Sequence, residues 1–522
     1  MALMAALLGW LFDGFEMGMF PLVGQNALAE LLPAQDAAMR NQWFAVIMSA
    51  FLIGAATGGV VFGWLGDRLG RVRAMALSIV TYAVFTGLCG VATQAWHIAV
   101  LRFIASLGMG GEWALGVALI TEVWPDRSRA MLAGLIGAAA NVGYLIVGLI
   151  SLVLVSFIAG FGNLLLKVGL SPSIVASLTS GQGWRLMMIV GALPALLMFF
   201  IMRLVPESHK WEDERDKGAT SHWATRDLLG VLLGAIGAAS VVVMWSPAFL
   251  YFVPKGSTTG DLPQVAQVLR GIGSVMGLCI ALLGFMYPVV RYLVRAEQAG
   301  AIGSGDRGKC VKRLLFGACL AGVALLGTWG SLQWAPKWSV ALASQLPEKG
   351  GPYFAKEYTQ ISMAAGAIIG TLVAAFMGGW LGRRVTYALL CLGSFFSLVY
   401  LYHYNVTFDA KFLISAFVAG GITAAFYGWF PLYLPELFPT SIRATSQGFA
   451  FNFGRVLSAV GTLQTASLAA YFGRNIPKER WDIEGVAKAA ASLAAIYLIG
   501  VLIIWLGPET KGKPLPEHLR DV

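Results

Sequence analysis

Runs of about 20 predominantly apolar residues recur along almost the whole chain, each long enough to cross roughly 30 Å of hydrocarbon as a helix. Inside hydrocarbon a backbone must satisfy its own hydrogen bonds, so repeated runs of this length read as a bundle of transmembrane helices. Spans are expected near 2–31, 42–64, 74–93, 98–123, 130–159 and 184–204, then 228–252 and 264–290, then 314–335, 358–378, 385–404, 411–434, 444–472 and 486–507. Segment 160–183 is apolar but broken by Gly, Ser and Pro, and is read as an outer loop with a short helix. The expectation is an all-α polytopic membrane protein of fourteen spans with both termini cytoplasmic. Only 12% of residues are charged, about half of what soluble domains carry, which argues against a string of soluble domains.

The net charge of +10 does not point to nucleic acid. More of the 37 Lys and Arg fall on one side of the expected spans than on the other, and the richer side is cytoplasmic by the positive-inside rule. Two arginines, Arg102 and Arg455, fall inside spans. The five cysteines are scattered without a C-x-x-C, so neither a disulfide framework nor a metal site is indicated. No G-x-x-x-x-G-K-[ST] occurs, and the glycine-rich GMGGEW lies within an apolar helix rather than after a strand. No cofactor is expected, and an enzyme is not. No basic segment precedes the first run, so a short cytoplasmic tail is expected ahead of it.

Three short patterns recur in the same order in both halves. EVWPDRSRAMLAG, from Glu122, and ELFPTSIRATSQG, from Glu436, both fit E-x-x-P-x-x-x-R-A-x-x-x-G. GWLGDRLGR, from Gly63, is echoed by MGGWLGRR, from Met377, and PES at Pro206 by PET at Pro508. Long-period self-similarity indicates duplication. The expected organisation is a six-helix bundle (1–204), a linker (205–227), a two-helix insert (228–295), a second linker (296–313), a six-helix bundle (314–508) and a tail (509–522). Parallel repeats of this kind build transporters whose site lies at the midplane between the halves.

These motifs resemble those of the major facilitator superfamily. GWLGDRLGRVR resembles its loop signature between the second and third spans, and RFIASLGMGGEW its fourth-span motif. The paired E-x-x-P-x-x-x-R and PES/PETKGK elements resemble those of sugar porters. DGFE, at Asp13–Glu16, resembles the D-G-[FY]-D of the aromatic acid:proton and sialate:proton symporters, with Glu16 replacing the second Asp. The sialate symporters are also similar in carrying two extra central spans. Three departures weigh against a hexose substrate. Gly379 stands where the second-half loop would carry its acid, PES continues as HKW, and the span near 314–335 lacks the sugar porters' glutamine-rich stretch, Gln333 lying only near its outer end.

The candidate residues are the charges that membrane burial makes costly. An ionised carboxylate in hydrocarbon costs roughly 2.5–3.5 kcal/mol on insertion scales, so Asp13 and Glu16 must face a cavity, pair with a cation or take up a proton. Their spacing places both on one helix face. The resemblance makes Glu16 the proton-coupling position, Asp13 its support and Arg102 its partner. Arg455 lies about 18 Å along its helix from Arg443, near mid-membrane, where a guanidinium suits a carboxylate substrate, with Asn452 one turn away. The alternative is that Arg455 pairs with Glu112. Trp10, Phe15, Trp113, Tyr427 and Trp429 are candidate stacking residues, with interface or packing roles as the alternative. Asp67, Arg68, Arg71, Glu122, Arg129, Arg383, Glu436 and Arg443 gather at cytoplasmic span ends; the resemblance assigns such residues to interhelical ion pairs that hold the outward-open state. Gly63 and Gly70 are expected to let helices approach and the loop turn tightly.

The function expected is proton-coupled symport of a small organic anion or carboxylated sugar by a monomer in a bacterial inner membrane. A neutral sugar porter, a proton-coupled exporter and a non-transporting nutrient receptor are the alternatives. The fifth span, LIGAAANVGYLIVGLI, lacks the exporters' glycine-proline signature.

Overall fold

The computed structural model describes residues 2–32, 37–123, 129–196, 225–253, 262–298, 300, 303, 305–346, 354–439, 442–474, 476–477 and 480–517. Among these residues the chain is helical, with turns and no strand. The first part comprises α1 (Ala2–Leu31), α2 (Ala37–Leu69), α3 (Arg71–Cys89), α4 (Ala95–Val123), α5 (Arg129–Ser156), α6 (Ile158–Lys167) and α7 (Pro172–Val190). Two central helices follow, α8 (Leu228–Trp245) and α9 (Gln264–Gln298). The last part comprises α10 (Arg307–Gly330), α11 (Ala335–Ala343), α12 (Ala355–Leu381), α13 (Arg383–Tyr404), α14 (Ala410–Ala424), α15 (Phe426–Tyr433), α16 (Arg443–Gly473), α17 (Val486–Leu493) and α18 (Ile496–Ile503). Ten of the described helical stretches are long and apolar enough to cross a membrane by length and composition.

Segment 160–183 is more helical than its Gly, Ser and Pro content suggested. Ser171 caps α7, accepting from the Ile174 N–H at 3.4 Å, and Pro172 fits the first turn because no partner is needed for a donor there. The turns from Pro172 form a short helix of their own, and helical geometry resumes at Trp184, the expected start of the span. The two are separated where Gly181, Gln182 and Gly183 have φ of +53°, +62° and +70°, a region that strains a non-glycine residue.

One kind of glycine crossing occurs twice in the packing. In α2, Cβ atoms built at Gly54 and Gly58 would come within 2.3 Å of the Phe103 carbonyl oxygen and 1.9 Å of that of Leu107, both on α4. In α12, Gly366 and Gly370 meet the carbonyls of Phe417 and Gly421 on α14 at 2.0 and 1.9 Å in the same way. Backbones this close give dispersion contacts where lipid provides no hydrophobic drive. The signature loops also match. Gly70 (φ +102°) precedes α3, and Gly382 (φ +99°) precedes α13, each making the tight turn into its helix. At Gly63, nothing among the described residues lies within 4 Å of a Cβ.

Across the two parts, α16 packs on α2, while α12 and α15 pack on α5. The central helices pack on each other through Gly230, Gly234 and Gly284, and α8 also touches α2 and α16. The conspicuous charge of the pair, Arg270, is buried between the rings of Trp245 and Phe249, 4.8 and 5.1 Å from their centroids.

Candidate functional site

Glu16, on α1, is 1% exposed and receives two donors, Arg102 Nη1 of α4 at 2.5 Å and Thr86 Oγ1 of α3 at 2.9 Å. Arg102 is fully buried, with its guanidinium over the rings of Phe20 (5.4 Å) and Phe51 (4.6 Å). Among the described residues, Glu16 Oε2 and Arg102 Nε and Nη2 have no hydrogen-bond partner. An ion pair this dry and only half satisfied is strongly attractive while both charges exist, and costly when one is lost.

Asp13 does not join Glu16. Its carboxyl lies against that of Glu112 from α4, near enough for the two to share a hydrogen bond. Glu112 reaches α1 over a glycine: a Cβ at Gly9 would stand 2.1 Å from its Oε1. The alternative pairing of Glu112 with Arg455 is thereby replaced, because α4 crosses α1 in a register that presents Glu112 to Asp13. Two carboxyls in contact away from water are stable with a proton between them.

Arg455, on α16, lines a cavity together with Asp13, Trp10, Phe51, Trp329 and Tyr427. Its Nη1 donates to Asn452 Oδ1 at 3.1 Å, and its guanidinium lies 5.3 Å from the centroid of the Phe451 ring. Asn452 itself sits over Gly59 of α2, where a Cβ would meet its Nδ2 at 2.0 Å. A second cavity shares Met17, Ala140 and Tyr427 with the first and adds Asn141, Tyr144, Gln333 and Gln360. The sequence drew attention to Arg455, Asn452 and Tyr427 but not to Gln360, whose setting in an apolar run is the signal that was available. The side chain of Trp113 lies outside the described residues. Phe15 and Trp429 are buried in packing, and Trp429 Nε1 donates to the Arg383 carbonyl at 3.2 Å.

At the end bearing the signature loops, Arg383 grips Glu436 with two hydrogen bonds, Nε to Oε2 at 2.9 Å and Nη2 to Oε1 at 2.5 Å. Thr510 Oγ1 adds a third bond to Glu436 at 2.6 Å. Glu509 of the PET motif caps α13, accepting from the N–H groups of Arg383 (3.0 Å) and Arg384 (3.1 Å). Partial burial alone would push its pKa up, but these and the Thr510 and Lys511 N–H groups outweigh it and hold the carboxyl below its usual range. Arg443 donates to the carbonyls of Pro435, Phe438 and Pro516. Arg68 lies over the Trp64 ring at 4.6 Å. The side chains of Asp67, Arg71, Glu122 and Arg129 lie outside the described residues.

The opposite end is tied across the molecule. Lys337 Nζ binds Asn41 of α2 and Asp482 Oδ1, the latter at 3.0 Å. Gln182 Oε1 accepts from Asn26 Nδ2 of α1 at 2.9 Å and from Lys356 Nζ of α12 at 2.8 Å. Ser151 of α5 donates to Glu357 of α12 at 2.9 Å. None of these contacts was anticipated, because their partners are more than a hundred residues apart.

The family profile for sugar (and other) transporters matches residues 1–228. A putative metabolite transport protein of Haemophilus influenzae is 27% identical over 518 residues, covering 98% of this chain and 97% of that protein. The cis,cis-muconate transport protein of Acinetobacter baylyi is 24% identical, covering 90% and 87%. Among solved structures, the partially occluded, inward-open xylose transporter XylE of Escherichia coli superposes with a TM-score of 0.60 at 16% identity, covering 98% of both chains. Over its whole length the chain is similar to transporters of the major facilitator type. It is a multi-pass membrane transporter with bacterial relatives.

Proposed function

We propose that this transporter is a proton-coupled symporter that brings a small organic anion into the cell by alternating access. The observation that carries this reading is Arg455, a buried guanidinium on the wall of a central cavity, held among the described residues by the neutral Asn452. Asp13 shares that cavity, but no carboxylate is bonded to the Arg455 guanidinium among the described residues, and a buried cation so placed favours a carboxylate, which it grips with two parallel hydrogen bonds. The cis,cis-muconate transport protein among the relatives supports an organic acid cargo.

Glu16 and Arg102 then form the coupling element. Protonating Glu16 removes the attraction that holds Arg102 and frees α4 to shift against α1. One proton entering with a monocarboxylate moves no net charge, so the pH difference drives accumulation, and each further proton per anion would add about 2.3 kcal/mol per 100 mV. Two six-helix halves, 1–204 and 314–508, rock about the cavity, with fourteen spans and both termini cytoplasmic. The doubled glycine crossings and loop glycines support that division. The insert at 228–295 rides on α2 and α16 as a peripheral pair, and the unit is a monomer.

The test is external pH in lightly buffered, energy-depleted cells expressing the protein, pulsed in turn with muconate, sialic acid, aromatic acids and hexoses. The expected result is alkalinisation with a carboxylate, absent in Glu16→Gln. A pH response only to hexoses would overturn the anion reading. Carboxylate entry at the wild-type rate in Glu16→Gln, with no pH change in either protein, would remove Glu16 from coupling.

A further inference from the structure

Gln360, on α12, is 1% exposed, and neither its amide oxygen nor its amide nitrogen has a hydrogen-bond partner among the described residues. It lines the second cavity, beside Gln333, whose Oε1 is also without a partner. Gln333 Nε2 reaches only Tyr144 Oη, at 3.4 Å. Asn141, on the same wall, spends its Nδ2 on the Gly137 carbonyl of its own helix at 2.8 Å. Buried amides are normally satisfied, and one with both atoms free, facing a cavity, is poised for a ligand. Room has been left for it: a Cβ at Gly18 of α1 would stand 2.8 Å from Gln360 Nε2.

This cavity and the one bearing Arg455 share Met17, Ala140 and Tyr427 in their walls, so they adjoin, with different chemistry on their far sides. Arg455 and Asp13 stand at one end, uncharged amides at the other, and apolar and aromatic groups between.

We propose that Gln360 and Gln333 form a second recognition subsite, which takes an uncharged hydrogen-bonding group at the end of the substrate remote from its carboxylate. The cargo class is thereby narrowed to organic acids carrying a distal hydroxyl, carbonyl or ring nitrogen, joined to the carboxylate by an apolar stretch. This rests on the anion reading of Arg455. An amide offers both a donor and an acceptor, so either kind of distal group is served. An acid lacking that group leaves the amides dry and unpaired, and is rejected for that reason.

The test uses purified protein and calorimetric titration with matched pairs of acids: benzoate with 4-hydroxybenzoate, cyclohexanecarboxylate with 4-oxocyclohexanecarboxylate, and hexanoate with 6-hydroxyhexanoate. In wild type the polar member of at least one pair binds about tenfold tighter or more. In Gln360→Met that preference collapses while the apolar member binds as before. Equal binding within every pair, or a preference that survives both Gln360→Met and Gln333→Met, overturns the subsite but leaves the anion reading standing. Binding of no carboxylate at all overturns the anion reading, and the subsite falls with it. A ligand-free melt supplies a second readout. Removing an unpaired buried amide in favour of an apolar side chain of similar shape should leave the melting temperature of Gln360→Met unchanged or raised. A drop of several degrees would show that the amide is used in the protein's own structure, which also overturns the subsite.

Discussion

Four buried charges on two helices decide what α1 can do, and they do so in two separate pairs. Glu16 bonds to Arg102 and Thr86, while Asp13 meets Glu112 and shares a cavity with Arg455. The first is an ion pair; the second is an acid pair that needs a proton. A buried ion pair contributes little net stability, but stranding one of its charges costs about 3–5 kcal/mol. Arg102→Ala is therefore expected to destabilise the solubilised protein by about that amount, and the double variant Arg102→Ala, Glu16→Gln by clearly less, because no charge is then left uncompensated. Thermal unfolding of the single and double variants measures the difference. Additive losses would mean that the two side chains do not act as a pair. The sequence identified all four residues, since acids and arginines in apolar runs stand out. It misassigned the company of Asp13, because residues three apart on a helix point about 60° apart, enough to turn them toward different neighbours.

At the scale of elements, the helices are assembled by glycines that admit a neighbouring backbone. Gly58 against Leu107 and Gly370 against Gly421 are the same crossing made twice. A methyl group at either position overlaps a carbonyl oxygen at 1.9 Å, and a backbone has no rotamer to yield with. Gly58→Ala and Gly370→Ala are each expected to cost about 1–3 kcal/mol or more, read as a lowered melting temperature, while Gly63→Ala is neutral or slightly stabilising in the open helix end. Equal effects at Gly58 and Gly63 would show that the α2–α4 crossing does not depend on close approach. The duplicated loop motifs were legible as sequence strings, and Gly70 and Gly382 followed from them. The paired glycines within the spans were not read as a repeat, because glycine is common in membrane helices and only a crossing partner gives it meaning. Glu509 is a similar case. PET was visible as an echo of PES, but its carboxylate became a cap for α13 only once the chain folded back to that helix.

For the whole molecule, the end away from the signature loops is held shut by bonds between its first and last parts. Gln182 is the least ordinary of these contacts. It sits at φ +62°, in a turn that Glu30 fixes through Trp184 (2.8 Å) and Arg185 (3.0 Å), and its side chain bridges Asn26 and Lys356. A glycine there adopts the same turn without strain but makes no bridge. Gln182→Gly is expected to open this end more often. A cysteine introduced by Leu332→Cys, on the cavity wall of a protein stripped of its native cysteines, should then react several-fold faster with a bulky maleimide added at that end. An unchanged rate would remove Gln182 from the closure.

The apolar runs, by themselves, determined that this chain is a membrane helix bundle, because runs of about 20 residues suit spanning helices, whereas strands of a closed barrel, the other structure that satisfies a backbone in hydrocarbon, are about half as long. The repeated motifs further determined that the bundle is duplicated, and the rare intramembrane charges marked where the chemistry lies. Only the tertiary structure decided which acid meets which, where the amides of Gln333 and Gln360 are left unpaired, and how one end is closed. Those outcomes depend on the register in which separate helices cross. That register is set by packing between residues hundreds of positions apart, and a single helix's own periodicity carries no record of it.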